Sequence, residues 1–215
     1  MKEIVIASKN ECKIKETKQI LKNFKIVSIA ELGINIKIEE DQDTFQKNAI
    51  KKAETIAKML DGKICLADDS GILIEYLNGF PGVLTKRWYI GTDKERNLAI
   101  IEKLKGVPKK LRKITFTTAI ALSNGKETIC EEGKIEGLVA EELKGENGVG
   151  FDEIFELENG QTLAELSQKE KNKISARKIA LEKIKLKLEE ENVQWKIVFW
   201  QLKICYNLKL IVRNQ

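Results

Sequence analysis

Residues 66–71, LADDSG, constrain this chain more than any other stretch. The apolar run 64–67 reads as a buried strand that delivers two adjacent carboxylates, Asp68 and Asp69, then a hydroxyl and a glycine. Neighbours in an extended chain point to opposite faces, so only one of the two acids is expected to face a site. Asp69, beside Ser70, is the expected one, with Asp68 turned toward supporting contacts. Carboxylates are hard oxygen ligands suited to Mg²⁺, which in turn binds nucleotide phosphates. Taken alone, the same four residues also read as an acidic turn after a strand.

The 215 residues, 42% hydrophobic and 33% charged, suit one large domain or two small lobes around a shared core. The net charge of +5 fits an anionic small ligand as well as nucleic acid. Opposite charges are interleaved with no long basic block, which speaks against a dedicated nucleic-acid surface. Cys12, Cys65, Cys130 and Cys205 form no CxxC pair. With no histidine in the chain, a zinc site has no obvious ligand set. The absence of histidine also excludes serine–histidine and cysteine–histidine nucleophilic systems, leaving carboxylates, lysines, tyrosines, cysteines or metal-bound water for proton transfer. Met1-Lys2-Glu3 leads directly into a strand without an evident signal peptide, and a reduced, cytoplasmic compartment is expected.

Ile4–Ala7 reads as a buried parallel-type strand, followed by a helix from Ser8-Lys9-Asn10 to about Leu21 and a second strand over Lys25–Ile29. Thr44 to Leu60 is the clearest helix, with Phe45, Ala49, Ala53, Ile56, Ala57 and Leu60 on one stripe and Gly62 beyond its end. After strand 64–67 and the DDSG turn come an extended stretch to Leu77 and a turn at Gly79–Gly82. Thr92 and Glu95 form a capping box opening a helix to about Leu104. Residues 113–122 read as a strand, Ser123–Lys126 as a hairpin turn, and 127–140 as the return. Gly145, Gly148 and Gly150 punctuate a loop, and a long helix is expected from Ser175 to Glu190. Early alternation followed by a hairpin predicts a mixed α/β sheet.

Ser8, Asn10 and Lys13 sit where a strand becomes a helix, and backbone N–H groups at a helix N-terminus favour anions. This is a possible phosphate cradle without the glycines of a P-loop. By itself it reads first as an ordinary capped helix. Asn48 and Lys52 are four apart and share a helix face, which reads by default as a solvated polar face and more sharply as a second phosphate contact.

In order, the blocks are SKNECK, EEDQDTFQKNAIKKA, ADDSGI, GFPGVLTKRW, GVGFDEIF and KNKISARKIAL. Across about residues 1–190 they closely resemble the inosine triphosphate (dITP/XTP) pyrophosphatase family. The resemblance implies a two-lobed α/β fold with a nucleotide cleft between the lobes, usually a homodimer. It also implies Mg²⁺-dependent hydrolysis of ITP, dITP and XTP to the monophosphate and pyrophosphate, a cleansing of the nucleotide pool. By position, the loop Ser8, Lys9, Asn10, Glu11, Cys12 and Lys13 would hold the triphosphate, with Lys52 assisting. Glu40 and Asp69 would serve the metal, Asp69 would accept the proton of the attacking water, and Ser70 would touch the substrate. Val149, Gly150, Phe151, Asp152, Lys171, Ala176 and Arg177 would meet the base and sugar.

Departures from the family pattern cluster at the base end. Val149 stands for an aromatic, Glu153 for a proline and Ala176 for a histidine; elsewhere Lys47-Asn48-Ala49 replaces E-N-A and Thr85-Lys86-Arg87 replaces S-A-R. Loss of aromatic stacking costs roughly 1–3 kcal/mol per base. The expectation is retained hydrolysis with altered base discrimination; a Maf-like pyrophosphatase, a degenerate nucleotide binder and, well behind, an RNA-binding module are the alternatives. Residues 191–215 form an apolar extension, in which Lys196, Lys203 and Lys209 speak against a membrane span.

Overall fold

The computed structural model describes residues 2–189. The extension 191–215 singled out above lies outside the described residues. Two short apolar strands, β1 (Glu3–Ile6) and β2 (Lys25–Ser28), pair in parallel around helix α1 (Glu11–Ile20). Helix α2 (Phe45–Met59) starts where the Thr44 hydroxyl accepts from the Lys47 N–H, and its expected apolar stripe is buried. That stripe is dominated by small residues. Ala49 and Ala53 lie against Ala67, Ala119 and Ala121, which lets the helix axis approach the sheet closely.

Strand β3 (Cys65–Ile74) is parallel to β1 and antiparallel to β5 (Lys113–Ser123); β4 (Phe80–Pro81) pairs with its far end. Helix α3 (Asp93–Lys103) carries the predicted Thr92–Glu95 capping box. The predicted hairpin joins β5 to β6 (Thr128–Val139), with Asn124 accepting from the Lys126 and Glu127 N–H groups and Gly125 at φ +84°. Strand β7 (Phe155–Glu156) and helix α4 (Gln168–Ile174) follow, and a last helix, α5, covers residues 176–189. The sheet order is β2-β1-β3-β5-β6-β7. The expected mixed α/β architecture is borne out.

Four apolar clusters pack on this sheet, and two of them are the largest. Ile4, Ile6, Leu21, Leu66, Ile120, Leu181 and Ile184 form one; Ile72, Ile74, Ile100, Leu104, Ile114 and Phe155 form the other. β3 thus feeds both cores, and its polar centre, residues 68–70, falls between them. This gives the expected two lobes a physical basis.

One expectation is corrected. The stretch DDSG is no turn, and strand 64–67 does not end before it. It lies inside the continuous strand Cys65–Ile74, because β5 pairs with every residue from Cys65 to Ile74. The following stretch reaches only Ile74 as strand, and Glu75–Leu77 is a 3₁₀ turn. Gly71 is required for contact rather than for turning. A Cβ there would sit 2.2 Å from Thr85 Oγ1 and 2.9 Å from Phe45 Cε1. Thr85 Oγ1 in turn accepts from the Ile72 N–H at 3.1 Å. Gly71→Ala is therefore expected to destabilise the fold by about 3 kcal/mol, the upper range for overpacking a core. Urea unfolding of the variant checks this; an unchanged midpoint would show that Thr85 moves freely.

Candidate active site

β1 runs parallel to β2 on one side and β3 on the other, so the connection from β1 to β2 runs to one side and the connection from β2 to β3 crosses back to the other. In open α/β sheets, ligands bind outside the carboxyl ends of strands at such a switch point. Pairing of β1 with β3 ends at Leu66, and β4 takes up the same edge only at Leu73. The stretch of β3 between them, which holds Asp68, Asp69 and Ser70, has no strand on that edge. Beside it the chain turns from β1 into α1. There Ser8 Oγ accepts from the Asn10 N–H, and Asn10 Oδ1 caps the helix by accepting from Cys12 and Lys13 N–H. Lys9, Glu11 and Cys12 are exposed on this loop, and Lys9 reaches Asn35.

The two acids point to opposite faces, as expected, and each meets its own partners. Asp68 lies on the face of α1 and α5. Lys13 Nζ approaches its Oδ2 at 2.9 Å and Arg177 Nε at 3.2 Å. Arg177 also contacts Glu16 at 2.9 Å, and Glu16 accepts from the Ser175 hydroxyl. Asp69 lies on the face of α2. Asn48 Nδ2 donates to its Oδ2 at 3.0 Å, and Lys52 Nζ stands 3.3 Å from Oδ1 and 2.6 Å from Glu40 Oε1. Arg87 closes on Glu40 at 3.8 Å.

The default reading of Asn48 and Lys52 as a solvated face is thereby overturned. Asn48 is fully buried and the Lys52 side chain is 12% exposed, because both are turned under the 40–42 segment onto β3. Asn48 Oδ1 also accepts from the Gln42 N–H, so it ties that acidic segment to Asp69. Glu16 was not singled out in the sequence. It stands one helical turn after Lys13 on α1, and that i, i+3 spacing was the available signal.

Burial pushes both acids upward, and their charged neighbours decide the direction of the net shift. For Asp69 burial raises the pKa above the ordinary carboxylate value, and Glu40 adds to it against the opposing pull of Lys52 and Asn48. For Asp68 burial also pushes upward, but Lys13, Arg177 and Lys52 overcome it and hold the carboxyl well below its usual range. Glu40 is held low against its burial by Lys52 and Arg87. The two neighbouring carboxyls are thus shifted to opposite sides of their ordinary range.

Of the residues that the resemblance assigns to base and sugar, the 149–152 loop and Lys171 lie beside the second core, while Ala176 and Arg177 open α5 beside the first. Val149 is 74% exposed at a loop tip, Gly150 has φ +66°, and Asp152 accepts from Lys171 Nζ at 3.0 Å. Phe151 is buried in the second core, and Ala176 is buried at the start of α5. Neither presents its side chain as a stacking surface. Lys13, Lys52, Glu40, Asp69 and Arg177 are thus brought into one charged cluster around β3, whereas Val149, Asp152 and Lys171 form a separate group on the 149–152 loop and α4.

Fold and cluster together define a two-lobed mixed α/β protein with a charged site at a strand switch point. The chain belongs to the Ham1 family, whose sequence profile matches residues 4–187. The dITP/XTP pyrophosphatase of Bacillus licheniformis is 44% identical over 197 residues, covering 88% of this chain and 100% of that protein. The dITP/XTP pyrophosphatase of Bacillus subtilis is 45% identical over 196 residues, covering 88% and 98%. The Staphylococcus aureus Ham1 protein superposes with a TM-score of 0.81 at 36% identity, covering 88% and 100%. A HAM1 protein from Coxiella burnetii gives 0.81 at 39%, with the same coverage. The family resemblance read from the sequence is borne out.

Asp68→Asn is expected to lower stability at neutral pH by about 3 kcal/mol, because Lys13 and Arg177 lose a buried partner. The folded pKa of Asp68 lies below its unfolded value of about 3.9, so its contribution is complete above that value and is lost as pH falls toward the folded pKa. The gap between wild type and variant in urea unfolding should therefore narrow from pH 7 to pH 3. A gap of constant size would show that the carboxylate charge is not what stabilises the seam.

Proposed function

We propose that this protein is a Mg²⁺-dependent nucleoside triphosphate pyrophosphatase. It hydrolyses the nonstandard purine nucleotides dITP, ITP and XTP to the monophosphate and pyrophosphate, and so cleanses the nucleotide pool. The observation that carries this reading is the Lys52 ammonium held between Glu40 and Asp69 at the switch point. It is supported by near-full-length relatives that bear the name dITP/XTP pyrophosphatase.

The donor set fits a magnesium ion. Two carboxylates already converge on one cation, and Mg²⁺ characteristically uses one or two carboxylates with substrate phosphates rather than an all-protein cage. Glu40 and Asp69 would hold the ion. When bound, it would neutralise charge on the phosphate oxygens. The cluster itself sets Lys13, Lys52, Arg87 and Arg177 against Glu16, Glu40, Asp68 and Asp69. These charges balance, so a polyphosphate enters favourably when it brings cations with it.

In this reading Lys13 and Lys52 turn from their carboxylates to phosphate oxygens, joined by Ser8, Asn10 and the backbone of the 8–13 loop. Asp69, whose raised pKa makes it the stronger base, takes the proton of the attacking water. Ser70 touches the substrate beside it. Arg177, steadied by Glu16 and Asp68, lies toward the sugar and base, and the 149–152 loop with Lys171 lines the far end. The family resemblance adds a homodimer, and the singly spaced cysteines fit a reduced, cytoplasmic setting. Among the described residues no helix is long and apolar enough to cross a membrane.

A second reading, a pyrophosphatase with Maf-like base specificity, is favoured by exposed Val149 and buried Ala176 where the family pattern has an aromatic and a histidine. Pyrophosphate release with Mg²⁺ across ITP, dITP, XTP, the standard triphosphates and modified pyrimidine triphosphates tests both. Selective release from the first three is expected. Release from pyrimidines alone moves the assignment to the second reading, and release from none overturns both. Asp69→Asn is expected to lower kcat about a thousandfold, as for loss of a general base. Its urea midpoint should hold, since burial disfavours the charge being removed. Undiminished turnover would place the proton acceptor elsewhere.

A further inference from the structure

The loop that carries Val149 is held from outside by a helix that no functional assignment has reached. Both polar groups of Gly150 are taken by side chains of α3. The Gly150 N–H donates to Asp93 Oδ2 at 2.9 Å, and the Gly150 carbonyl accepts from Asn97 Nδ2 at 2.9 Å. The same Asn97 amide donates to Glu153 Oε2 at 3.0 Å, on the other side of the loop tip. Within the loop, Val149 N–H donates to Asp152 Oδ2 at 3.2 Å, and Lys171 fixes that carboxylate at 3.0 Å.

Asn97 is fully buried, and its own Oδ1 has no hydrogen-bond partner among the described residues. An unsatisfied buried amide oxygen costs stability. At that position an apolar side chain would serve the core better. What the amide supplies is a fixed pair of donors aimed at Gly150 and Glu153. Asp93, by contrast, is exposed, and an exposed carboxylate on the first turn of α3 needs no loop to satisfy it.

We propose that Asp93 and Asn97 are positioning residues that set the 149–152 loop against the nucleobase, with Glu153 as their counterpart on the loop. This rests on the reading above that the loop meets the base. Holding the Gly150 N–H and carbonyl fixes the direction in which the neighbouring Val149 and Asp152 project. Glu153 gives the turn a hydrogen-bonded brace where the family pattern has a proline.

Hydrogen–deuterium exchange of the 145–154 segment and steady-state kinetics with dITP and dATP test this in Asp93→Ala, Asp93→Asn and Glu153→Gln. Asp93→Ala should speed exchange at Gly150 and raise KM for dITP about tenfold, the size of one lost charge-assisted hydrogen bond. Its kcat should stay within about twofold. The dITP-over-dATP preference should shrink with it. Asp93→Asn keeps an acceptor in place and should restore both exchange and KM, and Glu153→Gln, which also keeps its acceptor, should leave both near the wild-type values. Unchanged loop exchange in Asp93→Ala overturns the clamp. Faster exchange with unchanged KM, a loss confined to kcat, or failure of Asp93→Asn to rescue overturns its role in base positioning. If the wild type turns over neither nucleotide, the proposed function and the base-positioning role fail together, and the exchange result still decides whether the clamp exists.

Discussion

Two charged neighbours in the middle of a central strand are the constraint from which most of this structure follows. Asp68 and Asp69 are both buried, and an isolated buried carboxylate is expensive. Because alternate residues of β3 face opposite sides, one helix cannot neutralise both. α1 and α5 are drawn to one face by Asp68, through Lys13 and Arg177, and α2 is fixed on the other by Asp69, through Asn48 and Lys52. The three helices come from distant parts of the chain, so the polar seam joins the termini of the described fold to its middle. It also lies between two apolar cores that do not merge.

The same arrangement explains how one dipeptide can hold two chemical states. Asp68 is enclosed by cations on its side and stays ionised; Asp69 shares its single lysine with Glu40 and is shifted the other way. Environments that push neighbouring carboxyls apart in pKa are a common way to divide structural and proton-transfer roles. Here the two carboxyls are pushed apart without a histidine, in a chain that contains none.

Much of this was legible in the sequence because it was periodic or punctuated. The α2 stripe, the Thr92–Glu95 box, the Ser123–Lys126 hairpin and the opposed faces of Asp68 and Asp69 are local patterns, and the fold keeps each of them. The failures are of one kind. DDSG carries turn-forming residues, yet it is a strand because β5 pairs across it, and no local signal announces a partner some fifty residues on. Asn48 and Lys52 have the polarity of a solvent face, but they are buried by the 40–42 segment folding over them. The short helix α4 escaped notice although Ser167 and Glu170 form a capping box, because its seven residues show no apolar period. For DDSG and for Asn48 and Lys52 a tertiary contact overrode a propensity that was real; for α4 a real capping signal stood without the apolar period that would have marked the helix.

The departures from the family pattern sort by the kind of constraint each position bears. Around β3 the acids and the cations that face them are paired with one another, so replacing one leaves another without its partner, and Lys13, Lys52, Glu40, Asp69 and Arg177 all stand as the family pattern has them. At the far end the constraints are looser and differ from one position to the next. Val149 is exposed, so losing an aromatic there costs the fold nothing, whatever it costs a ligand. Glu153 recovers by hydrogen bonding what a proline would give by ring closure. Ala176 is the exception, because the start of α5 is pressed onto β6. A Cβ on Gly133 would come within 2.0 Å of the Ala176 carbonyl. The backbone there is fixed by packing, while the side chain is free to be small. The cluster around β3 is therefore held by the electrostatics of folding itself, whereas the 149–153 loop is held by hydrogen bonds from one exposed carboxylate and one buried amide of α3.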